Sequence, residues 1–109
     1  MQDYHSGEIV LLSFPFADAT EAKRRPALVL LDTGDEDIVV SRVTSQVAQG
    51  PFDVEFAEWR EAGLLLPSVA RVHKVATLEK RLVERRLGAL TASDWAQVRA
   101  VIQQLWTSI

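Results

Sequence analysis

The clearest change in the spacing of apolar residues along this chain of 109 residues comes at Thr91, and that change limits what it can fold into. Before Thr91, apolar side chains come in short runs or alternate with polar ones, and Gly, Pro and Asp separate the runs. That is the pattern of strands joined by turns. After it, Trp95, Val98, Ile102 and Leu105 recur at helical spacing, with Val101 and Trp106 widening the stripe. Thr91 followed by Asp94 resembles a capping box, with Asp in place of the usual Glu or Gln. The pattern predicts a curved sheet of five to seven strands with one terminal helix laid across it, the apolar stripe buried.

Individual strands are legible. Glu8 to Phe14 (EIVLLSF) is apolar on both faces and reads as a central strand. Residues 15–25 read as a long loop. Pro26 to Thr33 is a second buried strand, with proline tolerated at its first position. Gly34 to Asp37 is turn chemistry, and Ile38 to Thr44 completes a hairpin. Phe52, Val54 and Phe56 alternate with Asp53 and Glu55, as in a half-exposed strand. Ala57 to Gly63 suits one helical turn. Ser68 to Val75 reads as a further strand, on which Arg71 and His73 share a face. Residues 77–90 stay open: Leu78, Leu82, Leu87 and Leu90 nearly fit a helical face, yet Gly88 and the arginines suit a short strand equally well. No repeat or linker divides the chain, so one domain, 1–109, is expected.

Composition removes several classes of function. Without cysteine there is no disulfide framework, thiolate metal site or cysteine nucleophile. The longest apolar run, Ala27 to Leu31, is too short to cross a bilayer, and the start lacks a signal-peptide pattern. A soluble, cytoplasmic protein without membrane association is expected. The net charge of −3 argues against a nucleic-acid partner. Its distribution argues less firmly: residues 1–55 carry four Lys/Arg against ten Asp/Glu, residues 56–109 eight against five. Lys23-Arg24-Arg25 and the run from Arg71 to Arg86 concentrate positive charge locally. On charge alone, a solvated, salt-bridged face is the plainer reading.

The chemistry-bearing motifs are few. No nucleophile elbow, phosphate-binding glycine loop or paired-histidine zinc motif occurs. The histidines are His5 and His73, so a histidine metal site would need carboxylates to complete it; no cofactor or metal is expected. Arg25, before Pro26, stands at a loop-to-strand junction, and Thr44 ends a strand where a loop begins. Such positions hold catalytic groups rigidly yet in reach of solvent. They equally suit a surface ion pair and a turn-capping hydroxyl.

Taken in order, Gly7-Glu8-Ile9-Val10, Phe14-Pro15-Phe16 and Arg24-Arg25-Pro26-Ala27-Leu28-Val29 resemble the opening of the MazF/PemK family of toxin endoribonucleases. Val43-Thr44-Ser45-Gln46 resembles its second motif. Gly63-Leu64-Leu65-Leu66-Pro67-Ser68-Val69 with Arg71, then Leu87-Gly88-Ala89-Leu90-Thr91, continue the likeness along nearly the whole chain.

That resemblance implies a mainly β fold with a C-terminal helix, a small curved SH3-like barrel of the MazF/PemK/CcdB toxin type. It implies a metal-independent endoribonuclease toxin of a type II toxin–antitoxin system, cutting single-stranded RNA to 2′,3′-cyclic phosphate and 5′-hydroxyl ends. A homodimer and a cognate MazE-like antitoxin are the expected partners. Arg25 and Thr44 match the two catalytic positions, and Phe16, Lys23, Arg24, Ser45, Gln46, Arg71 and His73 are expected to bind substrate. Where some members carry an aspartate with a base role, this chain has His73, which titrates near neutrality and suits a base or a base-stacking ring. The resemblance also favours strand over helix for 77–90. Two other readings share the fold: a CcdB-like gyrase poison, whose Trp-Gly-Ile ending Trp106 to Ile109 loosely echoes, and a catalytically degenerate member that only binds RNA or protein.

Overall fold

The computed structural model describes residues 3–15 and 22–109; Phe16 lies outside them. Among these described residues, six strands form a single antiparallel sheet: β1 (Glu8–Pro15), β2 (Ala22–Leu31), β3 (Asp37–Thr44), β4 (Asp53–Glu55), β5 (Val69–Glu79) and β6 (Val83–Ala89). Their order is β4-β5-β3-β2-β1-β6, so the ladder does not close and β4 and β6 are its edges. A helix, α1 (Ala92–Thr107), follows.

The strand reading of the sequence holds for the first five, and β1 lies between β2 and β6 as its two apolar faces require. The structure extends β2 back to Ala22, which puts Pro26 inside the strand rather than at its start. Pairing with β3 begins only at Ala27, so Pro26 has a strand partner on one side alone, where a missing N–H is tolerated. Residues 77–90 are the end of β5, a single 3₁₀ turn (Lys80–Leu82) and β6. Gly88 explains the strand: an added Cβ would come 2.5 Å from the carbonyl oxygen of Ala62, so β6 and the 57–63 turn approach backbone to backbone. Gly63 makes the same contact from the other side, at a φ of +84°.

The sheet buries both faces. On one, Ile9, Leu28, Val43, Val54, Phe56, Val72 and Val98 pack between sheet and helix. On the other, Val10, Leu12, Ala27, Val29, Ile38 and Val40 pack under the curl formed by Leu78, Leu82 and Val83. Fully burying one such side chain stabilises the fold by roughly 1.5–3 kcal/mol. Helix α1 covers the sheet less completely than its stripe predicts. Val98 is fully buried, but Trp106 is 74% exposed.

Two carboxylates lock the frame. Thr91 accepts the amide of Asp94 at 3.3 Å, one half of a capping box. The Asp94 carboxylate does not complete it. Fully buried, it instead accepts the amides of Ala57 (3.1 Å) and Glu58 (2.9 Å), tying the helix to the 57–63 turn. Asp32 accepts Lys80 at 2.9 Å, the Tyr4 amide at 2.7 Å and the Gly34 amide at 2.8 Å. The Lys80 hydrogen bond first, then those amides, hold its carboxyl down at about 2.

Candidate functional site

A cleft opens where β2 and β3 part. Ala27 and Arg42 are the last residues paired across them. Beyond that pair β2 runs with β1 alone, through Pro26 and Arg25, while β3 runs with β5 through Val43 to Thr44. The gap is a cavity of about 450 Å³, lined by Arg25, Arg42, Thr44, Ser45, Ser68 and Arg85 over apolar groups that include Leu11, Leu64 and Leu87. Strand geometry produces this convergence. Residues two apart share a face, so Arg42 and Thr44 point the same way.

Arg24 and Arg25 are neighbours with different fates. Alternation sends them to opposite faces. Arg24 pairs with Glu84 on β6 at 2.5 Å. Arg25 is exposed on the cleft and has no ion pair among the described residues. Thr44 is half-buried, and its Oγ accepts the Gln46 amide at 3.2 Å. That bond uses a lone pair and leaves the hydroxyl proton able to donate.

A second depression, of about 610 Å³, adjoins the first across Arg25, Pro26 and Arg42. Its floor includes Leu12, Ala27, Val40 and Leu78, and its rim carries Lys23, Arg25, Arg42 and Lys74. Among the described residues, no Asp or Glu lines either depression. Several cations elsewhere are matched: Arg71 with Asp53, Lys80 with Asp32, Arg81 with Glu79, Arg86 with Glu8. Among the described residues Arg25, Arg42, Lys74 and Arg85 have no such partner, nor do Arg60, which lies over the Trp59 ring, and Arg99, both away from the cleft. On a chain of net charge −3, four cations without ion pairs thus border these adjoining depressions. Local fields of this kind attract anionic ligands whatever the net charge.

Of the residues singled out from sequence, Arg25, Thr44 and Ser45 line one cavity, and Lys23 lines its neighbour. Gln46 serves the same turn through its amide. Arg71 and His73 face the β4 side. The Arg71 Nε lies 3.5 Å from Asp53 Oδ1, an ion pair without hydrogen-bond geometry, and the His73 ring sits 5.8 Å from that of Phe52. Arg42 and Arg85 were not singled out. Arg42 had a signal, since it stands two residues before Thr44. Arg85 had only its place in the basic run from Arg71 to Arg86, because its position at the cleft depends on the β1–β6 register, where Leu11 faces it.

Sheet, helix and cationic cleft together define a small, mainly β protein with an open cleft bordered by arginines. The chain belongs to the PemK-like, MazF-like toxin family of type II toxin–antitoxin systems, whose family model matches residues 5–106. A chain of the MazE–MazF complex from Deinococcus radiodurans is similar with a TM-score of 0.76 and 26% identity, over 94% of each chain. MazF from the same organism gives 0.72 and 28%, over 96% of this chain and 99% of that one. An endoribonuclease in complex with its cognate antitoxin, from a mycobacterial species, gives 0.74 over 94% and 93% of the two chains. At 15% identity that last likeness is one of fold. No curated protein matches the chain. Among the described residues, no helix is long and apolar enough to cross a membrane.

Proposed function

We propose that this toxin is an endoribonuclease that cuts single-stranded RNA without a metal ion, with Arg25 and Thr44 at the scissile phosphate. The observation that carries the reading is the shared cavity: Arg25, Arg42, Arg85 and Thr44 line one cleft with no carboxylate among its described lining residues. Such a lining attracts phosphate and is a poor donor set for a divalent cation, which takes carboxylate and carbonyl oxygens. Solved relatives named as endoribonucleases and as toxin–antitoxin complexes support the same reading.

RNA supplies its own nucleophile. The 2′-oxygen bonds to the adjacent phosphorus, the bond from phosphorus to the 5′-oxygen breaks, water takes the 2′-proton, and the leaving 5′-oxygen gains one. The products are a 2′,3′-cyclic phosphate and a 5′-hydroxyl. Negative charge gathers on the phosphoryl oxygens in the transition state, where the planar Arg25 fork offers paired donors. An arginine pKa is too high for easy general-base work, so stabilising charge is its task. Thr44 donates to the phosphate or orients the 2′-hydroxyl. His73 lies off this cavity and suits a role in holding a base rather than in moving a proton.

A homodimer and a cognate antitoxin complete the proposal. Leu65 and Leu66 stand exposed on the cleft lining, an apolar rim for the antitoxin to cover. Incubation with a mixed RNA pool, followed by sequencing of the cut ends, tests the function. Cuts at a short recurrent motif are expected, unchanged by EDTA and abolished by one 2′-deoxy substitution at the cut step. Cutting of the deoxy substrate refutes the mechanism. Intact RNA alongside gyrase inhibition favours the gyrase-poison alternative.

A further inference from the structure

β5 makes a detour as it passes the cleft. Ser41 on β3 faces Val75, yet the next residue, Arg42, faces Arg71. Val72, His73 and Lys74 are therefore surplus to the β3–β5 pairing, a bulge of unusual size. Bulges bend a strand and re-aim its side chains, often beside a functional site. This one is pegged. Val72 is fully buried, its amide donates to the Phe52 carbonyl at 3.0 Å, and its own carbonyl accepts the Ser41 hydroxyl at 3.0 Å. Ser41 is itself fully buried, a place where a hydroxyl is costly unless bonded. Arg71 on Asp53 and His73 on Phe52 hold the flank. What the bulge delivers is Lys74, which stands on the rim of the second depression with Arg25 and Arg42 and has no ion partner among the described residues.

We infer that the Ser41-pegged bulge is a positioning device that sets Lys74 to hold the RNA phosphate next to the scissile one. The strand crosses from the Thr44 cavity over the Arg25–Arg42 ridge, and the neighbouring nucleotide lies in the second depression. Pro26, Val75, Ala76 and Leu78 in that lining offer shape and apolar contact but no side-chain hydrogen bond, so the base there is selected by size more than by identity. Lys74 contributes a point charge, which positions a phosphate without reading sequence. This inference rests on the RNA-cleaving reading above and goes beyond it in naming Ser41 and Lys74.

Two substrates with the same cut step separate the roles: a dinucleotide with a single phosphate and a tetranucleotide. Wild type is expected to gain at least ~10-fold in kcat/KM with length. Lys74→Ala loses about 5–10-fold of that gain and lowers the salt slope of binding to a non-cleavable strand by about 0.7; Lys74→Arg retains both. Ser41→Ala loses the same gain through KM, although Ser41 touches no substrate, and adds nothing further in the Lys74→Ala background. Arg81→Ala, a cation paired with Glu79 away from both depressions, keeps the gain. A full length gain in Lys74→Ala, or additive losses from Ser41→Ala and Lys74→Ala, overturns the inference. Where Ser41→Ala does not fold, the Lys74→Ala and Lys74→Arg comparison decides. If wild type cuts neither substrate, it is the RNA-cleaving reading that fails.

Discussion

Arg24 and Arg25 form a controlled experiment within two residues. Both are arginines on β2, and the sheet turns one to each face. Arg25→Ala removes a donor fork from the cleft but breaks no ion pair among the described residues, so stability should change by less than about 0.5 kcal/mol. Its cost falls on the transition state. Removing one charge-stabilising donor from a preorganised site costs ~2.7–4 kcal/mol, which is a 100- to 1,000-fold loss of kcat. Arg24→Ala instead breaks a surface pair with Glu84, whose partners are 66% and 35% exposed. Such pairs contribute about 0–1 kcal/mol, and turnover should fall less than ~3-fold. Arg25→Lys should also fail, because a point charge does not reproduce a planar fork. Single-turnover cleavage of a fluorescent RNA, run beside urea unfolding, reads both quantities. Equal rate losses for the two alanine variants, or normal turnover in Arg25→Ala, would refute the assignment.

Thr44→Ala should likewise lose at least ~10-fold in rate, restored by Thr44→Ser; a loss of stability with normal rate would make Thr44 only the cap of the Gln46 turn. Asp94→Ala strands two amides and should cost ~2–5 kcal/mol in urea unfolding, with Asp94→Asn between it and wild type; a cost under ~1 kcal/mol contradicts the carboxylate's bridging role. Gly88→Ala forces a Cβ onto the Ala62 backbone and should cost ~1–3 kcal/mol or more, whereas Gly50→Ala meets nothing within 4 Å and should cost under ~0.5; thermal melts compare them. Asp32, at about 2 folded against an ordinary 3.8, adds stability that is complete above about pH 4 and drains away as pH falls toward 2. Asp32→Asn should flatten stability across that window, and an unchanged acid limb would rule the link out.

Strands β1 to β5 and the start of α1 were legible because alternation, β-branched runs and a capping threonine are written within a few residues of one another. Thr44 was legible as the end of a strand, whereas Arg25, read as a loop-to-strand junction, lies within β2; ordered motifs marked out both. Beyond that reach, local pattern loses its hold. Leucines at 78, 82, 87 and 90 keep a near-helical spacing, but pairing with β1 and the Gly63–Gly88 approach make the segment strand. The apolar stripe ran on to Trp106, yet the fold leaves that ring in solvent. Asp94 has the spacing of a capping residue, while its carboxylate serves amides 36 and 37 residues earlier. Which cations stay unmatched is settled the same way, by registers that set Arg24 beside Glu84 and Arg71 beside Asp53 while Arg25, Arg42, Lys74 and Arg85 border the cleft. Periodicity is a property of neighbours along the chain and decides which elements form. Register is set by burial and pairing between residues far apart in it, so the tertiary structure alone decides which side chains meet.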